Sequence, residues 1–479
     1  MKLSIKHIFF LSLLSIAQHS NLAIAQEPFP VWLDGIRADA RTSGISDQTV
    51  NTVIDHVQLV PDVIQLDHSQ PEFISPFLSY YYQRVDAAKI MKGRALLAEH
   101  HALLNQLEVQ YGVPKTLLLA FWGMETHYGA NKGNLDTLSA LATLAYDGRR
   151  AAFFRSQLLD AMRMIDAGYV DVAEFRGSWA GAFGHMQFMP TTFMLYAVDG
   201  DQDGKIDVAN SMPDAFASAA KYLSQVGWRV SEPAMIEVQL PAEFAWQEAQ
   251  LSVRKTMEEW TQLGVRALQM ESNSADRHLM NVYPVSEVAA SKSTVSKSTD
   301  KQTDKRSRYL KSAKWKSAKK AKNRKPVQQV SYVPQTKVDS TVTLLAELPD
   351  VTGQAAILLP QGWRGPAFMV FDNFDVIMDW NRSVNYALSV AQLAKRIDQQ
   401  SRIIGGQLAE QGALSFEQMM ALQKALNARG FDAGMPDGLP GLKTQDAIRA
   451  YQLSQQLPAD GYASPTLYNR LIPELISEQ

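Results

Sequence analysis

Glu125 is the residue with the clearest chemical promise. It is the one acid in the run KTLLLAFWGMETHY, Lys115 to Tyr128, which is otherwise nearly all apolar. On a helix, its neighbours one and two turns back are Phe121, Trp122 and Leu118. Apolar surroundings make a carboxyl hard to ionise and favour its protonated form. A general acid that protonates a glycosidic oxygen needs that state. A structural glutamate paired with a cation would also fit, so the residue needs company before it means catalysis.

The company comes in a second element, Gly177 to Pro190, reading GSWAGAFGHMQFMP. Gly177, Gly181 and Gly184 permit close backbone approach or positive φ. Ser178, His185 and Gln187 supply donors and acceptors, while Trp179, Phe183 and Phe188 supply faces on which sugar rings could stack. Amides and aromatics on one loop suit a glycan groove.

A third element is acidic. Asp199, Asp201, Asp203 and Asp207 fall at positions 1, 3, 5 and 9 of an EF-hand-like loop. Gly204 stands at position 6, and Lys205 would offer its carbonyl at 7. Position 12, usually a bidentate Glu, is Asn210, and Asp214 would substitute for it. A structural cation is expected here, calcium before others because every ligand is oxygen, with weak affinity. A plain acidic turn is the alternative.

These elements sit in a chain of 479 residues, 46% hydrophobic and 20% charged, enough to bury large cores. It has no cysteine, which excludes disulfides, thiolate chemistry and a lipidated N-terminal Cys. No HExxH, P-loop, dinucleotide fingerprint or serine elbow is present. Lys2 and Lys6, the apolar run Ile8 to Ile16 and Ala23-Ile24-Ala25 read as an export signal over residues 1–25, cleaved near Gln26. The apolar run is far below the ~20 residues that span a bilayer. The chain is therefore expected to work outside the cytoplasm, unanchored.

Residues 27–288 read as helical and globular, with strand-like alternation scarce until Ala356 to Leu359 and Phe368 to Ile377. Composition shifts over 289–341. Between Ser291 and Pro326 there are 14 Lys and Arg against Asp300 and Asp304, so the segment carries +12 and the rest of the chain −14 (sum −2). So little apolar content reads as a disordered linker. It is either a plain tether or a polycation that contacts an anionic envelope polymer; nucleic acid is not expected as a partner. Residues 342–403 look globular again, 404–413 loose, and 414–475 form a compact tail. In that tail Asp437-Gly438 and Asp460-Gly461 turns separate three helical stretches, with Thr444 and Thr466 as expected N-caps.

ETHYG at Glu125 to Gly129, together with the glycine loop, closely resembles the lytic murein transglycosylase B family. The likeness extends to ALATLAYDGRRAAFF at Ala140 to Phe154 and to GPAFMVFDNFDVIMDWNRSVNYALSVAQLA at Gly365 to Ala394. The tail resembles a three-helix peptidoglycan-binding domain. The resemblance implies a mainly α fold: a lysozyme-like catalytic core with a helical N-terminal domain, plus the small C-terminal module. It implies peptidoglycan glycan strands as substrate, cut between MurNAc and GlcNAc with formation of 1,6-anhydroMurNAc. Glu125 falls at the family's catalytic acid. Ser178, Gln187 and Asn381 match its polar substrate-binding positions, and Tyr386 the tyrosine of its closing motif; Tyr128 and Phe188 complete the expected substrate contacts. Trp380 stands where many relatives have tyrosine, which leaves any role of that hydroxyl unfilled.

No cofactor is required for such chemistry, and a monomer is expected. Glycosidases ordinarily pair two carboxylates about 5–5.5 Å or ~6.5–9.5 Å apart. No second acid lies on the Glu125 helix. A lone Glu125 would act as acid and then as base, and for the nucleophile the resemblance suggests the substrate's own N-acetyl oxygen. Were Asp136 or Asp147 its partner, the enzyme would be a muramidase hydrolase. A non-catalytic wall-binding scaffold is the remaining alternative.

Overall fold

The computed structural model describes residues 27–68, 75–270, 343–406 and 412–473. The expected export signal and basic stretch lie outside the described residues. The chain opens with α1 (Phe29–Thr42), α2 (Asp47–His56), α3 (Pro61–His68), α4 (Phe77–Arg84), α5 (Ala87–Glu99), α6 (His101–Tyr111) and α7 (Lys115–Thr126). A two-stranded pair, β1 (Leu135–Asp136) and β2 (Arg176–Gly177), brackets α8 (Thr137–Asp147) and α9 (Ala151–Asp166). Then come α10 (Pro190–Tyr196) and α11 (Met212–Gln225).

Side-chain caps define several starts. Ser46, Asp86, Asp136 and Ser211 each accept a backbone N–H from the first turn of the helix that follows, as short polar residues do at this position.

Helix α7 is the axis of the main core. Every residue from Leu117 to Met124 is buried, because α5, α6 and α11 pack around it. A helix apolar on all sides is stable only in such a setting.

The sequence reading missed most of a six-stranded antiparallel sheet. Its strands are β3 (Met235–Gln239), β4 (Arg254–Thr256), β5 (Arg266–Met270), β6 (Thr343–Ala346), β7 (Gln354–Leu358) and β8 (Ala367–Val370), in the order β4-β7-β8-β3-β5-β6. The short helix α12 (Met257–Gln262) follows β4, and α13 (Asp372–Trp380) and α14 (Val384–Ile397) follow β8. The expected strand Phe368 to Ile377 therefore stops at Val370 and turns into α13.

Residues Ala356, Leu358, Phe368 and Val370 face the main core. Ala355, Ile357, Met369 and Phe371 face a second cluster around Phe244 and Trp260. Both faces of the central strands are thus covered. Doubly buried strands lose polar–apolar alternation, the signal by which strands are read from sequence.

The tail is a bundle of α15 (Phe416–Ala428), α16 (Leu442–Ser454) and α17 (Pro465–Leu471) around Leu422, Leu426, Ile448 and Leu467. Two expected caps are displaced. Gly441 and Ser464 are the N-caps, while the buried Thr444 hydroxyl bonds the Ala433 carbonyl and accepts from Gln423. The second Asp-Gly turn docks on the sheet body. Buried Asp460 accepts the Trp363 N–H at 2.9 Å through Oδ2, and Oδ1 accepts from Gln452 and Tyr462. Burial raises the Asp460 pKa against these hydrogen bonds and Arg449.

Candidate active site

Glu125 lies half-buried in the last turn of α7. Its Oε1 accepts the indole N–H of Trp380 at 3.0 Å and the phenol O–H of Tyr386. Trp380 is the last residue of α13 and Tyr386 stands in the first turn of α14. The short link between them is fixed by Ser383, which caps α14, and by Asn381, whose Oδ1 accepts the Ser383 N–H at 3.0 Å. Two donors on Oε1 occupy both its lone pairs. The acidic proton of the neutral carboxyl therefore belongs on Oε2.

Trp380 is a functional candidate that the sequence reading left without a role. Its ring packs on Phe121 at 4.5 Å, Tyr222 at 5.3 Å and Phe188 at 5.6 Å. The indole N–H supplies a donor without the acceptor a tyrosine hydroxyl would add. The available signal was the Trp-Asn pair itself.

Past Thr126, three consecutive residues take left-handed conformations: His127, Tyr128 and Gly129, with φ of 52°, 59° and 80°. Such a run is costly for non-glycine residues and is held by neighbours. The Thr126 hydroxyl accepts the Gly129 N–H and donates to the His185 carbonyl, both at 2.9 Å. That second bond docks the glycine loop on the catalytic helix.

Tyr128 does not reach substrate as expected. It is 6% exposed, and its O–H donates to the Lys89 carbonyl at 2.8 Å. A Cβ on Gly123 would strike its ring at 2.8 Å, so Tyr128 fastens α5 to α7. Phe188 is also corrected. At 2% exposure it offers sugar no face and instead supports Trp380 from below.

The glycine loop is pinned by its own polar groups. Ser178 Oγ accepts the Ala182 N–H at 3.2 Å, and Gln187 Nε2 donates to the Lys132 and Gly184 carbonyls. What remains for a ligand is the Ser178 O–H, the Gln187 side-chain carbonyl and the Asn381 amide N–H groups. This set of donors and an acceptor matches acetamido groups. Gly133 is obligatory beneath the loop, since a Cβ there would lie 2.2 Å from the Gly177 carbonyl, at a φ of +84°. His185 is held neutral: burial, then Lys132, depress its imidazole to about 4, and Nδ1 accepts the Trp122 indole N–H at 3.1 Å.

Asp136 and Asp147, the alternative partners, stand at the two ends of α8. Asp136 caps that helix through Ser139 and bonds His56 Nε2 at 2.8 Å. Burial opposes its charge, but hydrogen bonds from His56 and Ser139 outweigh that and hold the carboxyl below its usual range.

In the acidic loop, Asp199, Asp201 and Asp203 each bring a carboxylate oxygen within 4.8 Å of the others. The Lys205 N–H donates to Asp203 Oδ1 at 2.8 Å. Asp214 stands apart from that trio. It is 1% exposed, with one oxygen accepting from Gly200 and the other from Asp207, each at 2.7 Å. It braces the loop ends. The loop also abuts the glycine loop: the His185 N–H donates to Val208, and Lys132 Nζ to Ala209 at 2.6 Å.

The sequence matches the family described as transglycosylase SLT domain over residues 28–297 and 298–395, and a putative peptidoglycan binding domain over 417–471. It is similar to SltB3 from Pseudomonas aeruginosa, solved with NAG-anhNAM-pentapeptide and with NAG-NAM-pentapeptide. Identity is 36%, 93% of this chain is covered with 99% or 100% of that one, and the TM-score is 0.73. SltB1 from the same organism shares the fold, with 23% identity over 77% of this chain and 98% of that chain, TM-score 0.55. Membrane-bound lytic murein transglycosylase B of Escherichia coli (strain K12) is 29% identical over 195 residues, 39% of this chain. The match spans about half, 54%, of that relative's length.

Proposed function

This chain belongs to the transglycosylase SLT domain family, and from that premise we propose that it is a lytic transglycosylase of peptidoglycan. It cleaves the β-1,4 bond between MurNAc and GlcNAc and leaves 1,6-anhydroMurNAc. The observation that carries this reading is the Glu125 carboxyl, gripped at Oε1 by Trp380 and Tyr386. The solved SltB3 complexes, with the intact and the anhydro muropeptide, support the same substrate and product.

On this reading one carboxyl serves first as acid and then as base. Glu125 Oε2 gives its proton to the leaving glycosidic oxygen as the C1–O bond breaks. The N-acetyl carbonyl oxygen of the same MurNAc bonds C1 and closes an oxazolinium ring. The Glu125 carboxylate then takes the C6 hydroxyl proton while O6 attacks C1, and the acetamido group is released. Ring closure within one sugar needs orientation rather than a second protein acid. Ser178, Gln187 and Asn381 hold the acetamido and hydroxyl groups. Mass spectrometry of products from purified sacculi tests the reading: muropeptides one water lighter than reducing forms are expected. Reducing muramic ends would replace it with a muramidase.

The location follows the substrate. Residues 1–25 direct export and are removed, and the mature chain works in the periplasm. Among the described residues no helix is long and apolar enough to cross a membrane. The basic segment Ser291 to Pro326 adds electrostatic hold on anionic envelope polymer. Sacculus binding that weakens several-fold between low and physiological salt is expected, with that salt dependence lost once 289–341 is deleted; salt-independent binding by the full chain would reject this role.

The trio Asp199, Asp201 and Asp203 suits a hard cation in its oxygen donors and charge, with the Lys205 carbonyl a further ligand. When bound, such an ion neutralises the clustered carboxylates and stiffens the loop that abuts His185 and Lys132. It takes no part in the chemistry. Saturating calcium is expected to raise the melting temperature by at least about 2 °C, and Asp201→Asn with Asp203→Asn to remove the shift. An unchanged melting curve in the original chain would dismiss the site.

A further inference from the structure

Trp363 stands on the turn between β7 and β8 and is 42% exposed. A lone surface tryptophan would need no explanation. This one is held in place from several sides. Its backbone N–H donates to Asp460 Oδ2 at 2.9 Å. The turn around it closes through the Gly362 N–H to Leu359 at 3.1 Å and the Gly365 N–H to Gly362 at 2.9 Å. Its ring lies 6.0 Å from half-buried Trp246, which lies 5.6 Å from Phe244 in the second core. A row of rings thus runs from that core to the surface, and its last member is open to solvent.

Arg364 lies over the Trp363 ring, its guanidinium carbon 4.9 Å from the centroid. It is exposed and, among the described residues, has no ion-pair or hydrogen-bond partner. A cation–π contact at an exposed site is weak and yields to a ligand, and the guanidinium brings five N–H donors. The wall-binding module supplies the other side. Gly362 has a φ of +73°, and a Cβ there would lie 2.7 Å from Asp460 Oδ2 and 3.1 Å from the Tyr462 Cβ. The bare glycine therefore lets Tyr462 pack against the Trp363 turn. Among the described residues the Tyr462 hydroxyl has no hydrogen-bond partner, yet it is not sealed from solvent. Burial, then Asp460, pushes its pKa up to about 12, so it keeps its proton and can donate.

The seam between sheet and module thus presents an indole ring, a guanidinium and a phenol hydroxyl. Pyranose rings offer apolar C–H faces rimmed by hydroxyl and acetamido groups, and an aromatic face with donors beside it complements them. We propose that Trp363, Arg364 and Tyr462 form a glycan-binding subsite at this seam, taking an amino-sugar strand of peptidoglycan. The occupant follows from the module, since Tyr462 lies within the span that matches a putative peptidoglycan binding domain, and the proposal rests on that reading. The subsite is incomplete without the docked module, so a strand bound there holds the module on the sheet.

The test is fluorine NMR of the full chain carrying Glu125→Gln, grown with fluorotryptophan and titrated with soluble, uncross-linked GlcNAc-MurNAc strands. Trp363→Phe and Trp380→Phe each remove one resonance of the nine, which assigns both. The Trp363 resonance is expected to move saturably. Tyr462→Phe, which removes only the hydroxyl, should raise the midpoint of that movement about 3- to 10-fold, with the melting temperature unchanged. A Trp363 resonance that stays put while that of Trp380 reaches saturation would overturn the proposal, as would a Tyr462→Phe midpoint equal to the original. Movement at Trp363 with none at Trp380 would support the seam and count against the Glu125 groove. Movement at neither would overturn the proposal together with peptidoglycan as the ligand, so the failures are distinguishable.

Discussion

Glu125→Gln is expected to lower release of anhydro-muropeptides from purified sacculi by about 10³-fold or more, while the melting temperature and sacculus binding stay close to the original. A general acid or base contributes ~10²–10⁴-fold, and here one carboxyl serves as both in turn. The amide keeps the shape, and its carbonyl can still accept from Trp380 and Tyr386, so the aromatic packing around it has no reason to shift. What disappears is the transferable proton on Oε2. Turnover at the original rate would show that another group is the acid. Lost turnover together with a collapsed melting transition would mean that the change broke the fold and left the chemistry unexamined; the melting curve is therefore measured alongside.

The second large effect is expected at Trp380. Trp380→Phe removes the indole donor to Oε1 while keeping an aromatic ring against Phe121 and Phe188. The carboxyl then has one fewer constraint on which oxygen holds the proton and where it points. Small misplacements of a reacting group cost up to ~10²-fold, so kcat should fall by roughly 10- to 100-fold with KM within about threefold. Trp380→Tyr retains a donor and should stay within about tenfold of the original. A purely structural Trp380 would show the reverse pattern, with stability lost in both variants and kcat per folded molecule unchanged. Both enzymes would be compared by kcat on soluble glycan fragments after the folded fraction is determined.

The site was legible to the extent that its chemistry is local in sequence. Glu125 and the glycine loop are each continuous motifs, and the acidic trio follows a fixed spacing. Each piece can be read before anything is known of the fold. What joins them cannot. The Trp380 indole reaches Glu125 across 255 positions, and nothing in either segment's pattern announces the meeting. Tyr128 and Phe188 were misjudged for a related reason. Aromatic residues in a glycan-binding motif serve equally as stacking faces and as supports for them. Which one applies depends on burial: Tyr128 fastens α5 and Phe188 lies under Trp380. The sheet escaped notice because its central strands are enclosed between two cores, so neither face carries the polar residues that mark a strand. The tail caps moved by two or three residues because Gly441 and Ser464 reach the free N–H groups first, which left Thr444 for a buried bond to Ala433.

The Asp460 contact gives the wall-binding module a bearing as well as a reach. If the module swung away from the sheet, the Trp363 N–H would lose its acceptor and the Asp460 carboxylate one of its donors. At about 1–3 kcal/mol for such a loss, the swung-out pose would hold roughly a sixth of the molecules at the weak end and under one in a hundred at the strong end. A module anchored on the wall would therefore orient the catalytic groove rather than merely keep it nearby. The direction in which a glycan strand enters would be inherited from the anchor. Two surfaces joined in this way address the polymer as a single oriented footprint, so the search for the next scissile bond becomes a slide along one line instead of a sweep through a sphere.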